Sequence, residues 1–435
     1  MKRAFKTLFI LLFLLSFKNL PAHDETPGAP QSRPIALTNA KVYTVSQGIL
    51  ENATVVFDKG KITALGANVQ IPADAETIDC SGKSVYPGFI TCASTIGLVE
   101  IEAVRATRDA TEVGSLNPNS LAQTAYNPDS EIIPTIRLNG VLLAHVLPEG
   151  STVPGRGSLM MMDGWTREDI ALKPVTGLHI QWPRMTTITA WWMQRTPEEQ
   201  RKETEKQLEN IYQLFAKAQA YSLGAKNGIA DDSRDIRFEA MRPIFENNQT
   251  VFINADEYKQ IISIRDFVKK YNLRAVLVGG KDSWRATDVL KELNIPVIIQ
   301  RTHALPMRDE ESYDLPYRLP GLLAVAGVKF GFADEGAWQQ RNLPFHAGTS
   351  TAFGLSEEEA IRALTLSAAE ILGVENQVGS LENGKDATLF VSSGNALDGL
   401  TNNLEFAFIQ GRKVELSSRH TRLAEKYKTR YRQQK

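Results

Sequence analysis

Cysteine is scarce in this sequence, net charge is almost absent, and a long apolar run occurs only near the N-terminus. The 49 Lys and Arg against 50 Asp and Glu leave a formal charge of -1, so no global field draws the chain to nucleic acid or to an anionic membrane. Those two partner classes are set aside. Cys80 and Cys92 leave room for one bridge at most. Cys80 ends one β unit and Cys92 lies inside a candidate strand, so two buried free thiols are expected and a bridge stays open. None of the six histidines, His23, His145, His179, His303, His346 and His420, falls in a His-x-His or His-x-x-x-His arrangement. A P-loop and a nucleophile elbow are lacking too; Pro154-Gly155-Arg156-Gly157-Ser158 reads as a tight Gly-rich loop without the following Lys-Ser/Thr.

The apolar run belongs to residues 1–22, which read as a secretory signal: basic Lys2, Arg3 and Lys6, an apolar core Leu8 to Phe17, and a small-residue cut after Ala22. The mature chain is expected to be exported, to the periplasm. An uncleaved anchor is the other reading, but the run is about half of the ~20 residues a spanning helix needs. No cysteine follows it to carry a lipid, and no later stretch resembles a membrane span.

What is present is ordinary globular material, 43% hydrophobic and 23% charged over 435 residues, enough for a large barrel and a smaller domain. Residues 34–86 hold short β runs joined by turns, Asp58-Lys59-Gly60 among them, and residues 373–416 mirror them. Each fragment alone buries little, so the two are expected to join as one composite β-sandwich. Between them, residues 87–372 alternate apolar strands such as Thr250-Val251-Phe252-Ile253 with helices. Thr196-Pro197-Glu198-Glu199 and Ser356-Glu357-Glu358-Glu359 are N-terminal capping boxes. Such alternation predicts an α/β fold, a (β/α)8 TIM-type barrel, with a doubly wound sheet as the alternative. The polar excursion from Glu102 to Asp129 follows the first barrel strand, where pocket-building loops lie, and residues 417–435 form a basic, solvated tail.

Four stretches resemble the amidohydrolase superfamily in its exported, imidazolonepropionase-like branch. They are Thr77 to Gly88 leading into Phe89-Ile90-Thr91; Asp235 to Ala240 with Val251 to Asp256; Asn342 to Gly348; and Ala363 to Gly373 with Val378 to Ala387. The resemblance implies a metal held by two strand-one histidines, a strand-five and a strand-six histidine, and a strand-eight aspartate. Here the positions read Ala93, Thr95, Asn254 and about Gly279, and only the aspartate remains, as Asp334. Ala and Gly supply no ligand atom, and without a metal the low-pKa bound water of that chemistry is lost.

The expectation is therefore a superfamily member lacking the usual histidine ligands, with no cofactor and no metal residues. Its role would be to bind a small molecule, or to act as the partner subunit of a catalytically complete relative in a hetero- or homo-oligomer. Asp334 is the candidate catalytic residue, and Asn254, Asp256, Gly279, His145 and His303 are the candidate ligand pocket. The alternative is a hydrolase of C–N bonds, in cyclic amides or dipeptide-like substrates, with no metal or with zinc on a relocated set of Cys92, His145, His303 and Asp334.

Overall fold

Period-two alternation decides which face each early strand presents, as the computed structural model shows over its described residues, 26–150, 152–226 and 234–433. The expected leader, residues 1–22, and His23 lie outside them. Strands β1 (Ile35–Tyr43), β2 (Ile49–Asp58), β3 (Lys61–Gly66), β4 (Glu76–Asp79) and β5 (Ser84–Pro87) join β14 (Leu389–Ser392), β15 (Leu404–Ile409) and β16 (Arg412–Val414) in one sheet. Its order is β16-β15-β14-β5-β1-β2-β3, with β4 paired to β1. Val85, Leu389 and Val391 point into a core shared with Leu37, Val55, Phe57 and Phe408. Their neighbours Tyr86 and Phe390 point the other way, stacked at 5.2 Å, and carry the sheet onto Phe89 of the barrel.

The second sheet runs β6 (Phe89–Ser94), β7 (Val141–Val146), β8 (Gly155–Met161), β9 (Ala171–Gln181), β10 (Thr250–Ala255), β11 (Ala275–Gly279), β12 (Val297–Gln300) and β13 (Phe330–Ala333). β13 returns beside β6, so this is a nearly closed barrel of the TIM type. The seam is closed by a side chain. Gln340, fully buried, accepts from Thr91 Oγ1 at 2.5 Å and donates to Ala93 O at 3.1 Å and Asp334 O at 2.6 Å, tying the end of β6 to the end of β13.

Alternation with helices lapses once. β8 is antiparallel to both β7 and β9, so three strands follow one another without an intervening helix. Gly155 to Ser158, read above as a loop, is the first half of β8; that expectation is corrected. Gly157 explains the choice of residue, because a Cβ there would come within 2.6 Å of His145 Nε2 and 2.9 Å of Thr176 Oγ1. The helix Pro197–Lys226 follows β9 and starts on its predicted box, with Glu199 N–H donating to Thr196 Oγ1 and Thr196 N–H to Glu199 Oε2. Ser356 and Glu359 cap Glu357–Leu364 reciprocally in the same way.

Both cysteines are free and buried, and burial pushes their thiols up to about 11 for Cys80 and about 12 for Cys92. Cys92 Sγ packs beside Gly331, near Ala363 and Ile371 of the outer helices, so it does not face the barrel interior. The basic tail forms the helix Arg419–Gln433, with no buried residue, attached near its start by His420 against Trp338 and Arg422 near Glu131. No described helix is long and apolar enough to cross a membrane.

Candidate active site

A cavity of about 680 Å³ opens where the parallel strands of the barrel end. Every parallel strand gives it at least one residue: Ala93 and Ser94 from β6, Leu147 after β7, His179 and Gln181 from β9, Asn254 and Ala255 from β10, Val278 and Gly279 from β11, Gln300 from β12, and Asp334 after β13. Of the residues expected to form the site, Asp334, Asn254, Asp256 and Gly279 line this cavity. His145 and His303 do not line it.

Their placements have physical causes. His145 lies inside the barrel wall, fully buried in the slot that Gly157 leaves open. Its Nδ1 is 2.7 Å from Cys92 O, an atom that only accepts, so Nδ1 carries the hydrogen and Nε2 accepts from Thr176 Oγ1 at 2.6 Å. Burial lowers the imidazole to about 3. His303 is exposed beyond β12 and bonds Thr349 Oγ1 at 2.7 Å, while its backbone N–H serves the site indirectly. With Cys92 outside the barrel, the relocated ligand set does not assemble.

Asp334 is 2% exposed and held from both sides. Its Oδ1 accepts from Glu335 N–H at 2.8 Å and its Oδ2 meets His346 Nε2 at 2.7 Å. His346 Nδ1 accepts from the His303 backbone N–H at 3.2 Å, so the ring hydrogen is on Nε2 and donates to the carboxylate. The result is an oriented carboxylate backed by a neutral imidazole. His346 was not among the candidate residues, although it stands in one of the quoted stretches.

The opposite wall is built by two acids with different tasks. Glu257 accepts from Met185 and Thr186 N–H at 3.0 Å each and pairs with Arg184 at 3.0 Å, which ties the chain after β9 to the β10 end. Asp256 pairs with Lys281 at 3.2 Å and fills the space above Gly279. At φ +97°, a Cβ on Gly279 would come 2.6 Å from Asp256 Oδ1. Gly279→Ala is expected to destabilise by about 1–3 kcal/mol, from backbone strain and overpacking. Urea unfolding checks it, and an unchanged midpoint would show that Asp256 is free to move.

Four polar atoms on three side chains of the cavity wall lack a protein partner: both nitrogens of His179, Asn254 Oδ1 and Trp182 Nε1. His179 stacks on Phe252 at 4.9 Å and is held neutral by burial, then by nearby His145. Sequence reading passed it over because β9 carries Pro174 and Gly177 and does not look like a strand. The excursion 102–129 contributes no lining residue; it packs against β8 and its approach through Thr111, Leu116 and Leu121, opposite Glu149, Val153 and Arg156.

The donor set does not suit a catalytic metal. Ala93, Thr95, Asn254 and Gly279 all border the cavity, and none offers an imidazole, thiolate or carboxylate, where zinc takes about three such ligands. Among the described residues, no group of three or more His, Cys, Asp or Glu is placed to hold a metal ion.

Comparison with known proteins bears on the frame that carries this cavity. The sequence model of the Amidohydrolase family matches residues 317–414, from the helix before β13 to β16. Imidazolonepropionase of Vibrio cholerae serotype O1 is 38% identical over 61 residues, 13% of this chain and 15% of that protein. Deacetylase Atu3266 of Agrobacterium fabrum is 35% identical over 68 residues, so the match spans about a sixth of each curated relative's length. Among solved structures, an amidohydrolase from Thermotoga maritima aligns with TM-score 0.77 and 24% identity over 88% of this chain and 99% of its own. A prolidase solved with n-methylphosphonate-l-proline aligns with TM-score 0.55 and 18% identity over 88% and 99%. These likenesses concern the fold.

Proposed function

Because the chain belongs to the amidohydrolase superfamily, we propose that it binds a small molecule in the strand-end cavity without hydrolysing it, alone or as partner subunit of a complete relative. The observation that carries the reading is chemical. The four positions that would hold histidine ligands border the cavity as Ala93, Thr95, Asn254 and Gly279, so no low-pKa bound water is generated there. The remaining wall is suited to recognition: an oriented carboxylate at Asp334, unpartnered His179 and Asn254, and two ion pairs at the rim. We further propose that the mature chain works in the periplasm, on the strength of the leader-like residues 1–22.

One feature favours the second reading, hydrolysis of a C–N bond through an atypical site. His346 orients the Asp334 carboxylate at the cavity wall as a general base would be oriented. The experiment pairs elemental analysis with a panel of cyclic amides and dipeptides, assayed on the chain alone and with a co-expressed relative, as wild type and Asp334→Ala. Far less than one equivalent of zinc, manganese or iron is expected, with no turnover by the isolated chain. A stoichiometric, chelator-resistant metal, or turnover that Asp334→Ala abolishes, would replace the binding reading with the hydrolase.

A further inference from the structure

The cavity wall is unbalanced in charge. Four carboxylates border it, Glu149, Asp256, Glu257 and Asp334, against two cations, Arg184 and Lys281. Both cations are engaged, Arg184 with Glu257 at 3.0 Å and Lys281 with Asp256 at 3.2 Å, which leaves Glu149 and Asp334. Outside the wall, Arg301 senses the Asp334 charge only weakly and is committed to Glu335, with which it pairs at 2.8 Å. His346 is neutral by its hydrogen bonds, so it orients Asp334 without cancelling its charge. Glu149 forms no ion pair with a described residue; partial burial raises its carboxyl, nearby Arg108 lowers it by less, and Glu102 adds a smaller push upward.

We propose that the ligand of this cavity is a small cation, a polar molecule bearing an amine or guanidinium group that Asp334 and Glu149 attract. The inference rests on the ligand-binding reading above and adds the chemical class to it. A second, independent observation supports a donor-rich molecule. Asn254 Oδ1 and one nitrogen of neutral His179 are buried acceptors without a protein partner, and each such group is costly to the fold until a donor meets it. Amine and guanidinium N–H groups meet acceptors. A carboxylate ligand would instead lie beside two uncompensated acids and find both cations in use. The volume of about 680 Å³ suits a molecule of this class with room for solvent.

The test uses the full mature chain in calorimetric titration and thermal-shift assays with agmatine, cadaverine and lysinamide as cations, glutarate as anion and erythritol as neutral probe. At least one cation is expected to bind and raise the melting temperature, more weakly as salt is added, while glutarate and erythritol leave it unchanged. Asp334→Asn and Glu149→Gln are each expected to weaken that cation about tenfold. Circular dichroism and the unliganded melting temperature confirm that the variants fold; if Asp334→Asn fails to fold, exposed Glu149 decides alone. Preferential binding of glutarate or erythritol would overturn the cation assignment and leave the binding reading standing. Cation binding that neither substitution alters would overturn the site. Absence of binding by every probe would count against both readings together.

Discussion

A chain ended at Gly373 is expected to lose its N-terminal sheet along with the deleted strands. β14 lies between β5 and β15, with Leu389 opposite Pro87 and Val391 opposite Val85, so its removal strips β5 of one full ladder. The deletion also removes Leu381, Leu389, Val391 and Phe408 from the core that holds Leu37, Val55 and Phe57. Burying side chains of this size contributes roughly 1.5–3 kcal/mol each, so the loss is on the order of the 5–15 kcal/mol that stabilises a whole domain. Two further ties go with them, the Lys61–Asp386 ion pair and the Ala387 N–H bond to Gly60 O at 2.8 Å. Limited proteolysis with mass mapping reads the result: cuts between Pro34 and Tyr86 at protease levels that spare the full chain. A protease-resistant Pro34–Tyr86 segment in the truncated protein would mean that the first β unit folds alone.

What the sequence made legible were features written in local chemistry. Val85 against Tyr86, and Leu389 and Val391 against Phe390, alternate as strands between two apolar layers must, and both capping boxes mark their helices. β8 and the start of β9 were illegible because tertiary packing, not propensity, chose their residues. Gly157 and Gly177 face each other across the ladder, one making room for His145 and the other for Phe252. Read locally they look like a loop. The same blind spot hid His179 and misplaced His145, whose slot exists only once Gly157 is seen in register. Asp334, Asn254, Asp256 and Gly279 came from the family resemblance at strand ends. His346 required knowing that the helix Leu343–Thr351 folds back over β13 to reach Asp334.

Acidification from pH 6.5 toward 4.5 is expected to weaken the fold through the barrel-wall histidines. His145 titrates at about 3 in the folded chain because burial disfavours its charged form, against 6.5 when unfolded. Its folded pKa is depressed, so between those values the unfolded chain binds a proton that the folded chain does not. The stability is complete above about pH 6.5 and falls as pH drops toward the folded value. At about 1.4 kcal/mol per pH unit, two units below 6.5 remove roughly 3 kcal/mol through His145 alone. His179 is lowered in the same direction by burial and by His145, so it adds to the loss. Carboxylates also titrate toward the bottom of this range, and a neutral replacement separates the two contributions. His145→Gln leaves an amide for Cys92 O and Thr176 while removing the titration. It is expected to be less stable than wild type at pH 7.5, because the ring's packing on Phe252 at 4.8 Å is lost, yet to have the shallower pH dependence between 6.5 and 4.5. Urea unfolding at half-unit steps gives both slopes. Parallel slopes for wild type and variant would show that His145 is charged in the fold or titrates alike in both states, and the slot beside Gly157 would then be wet.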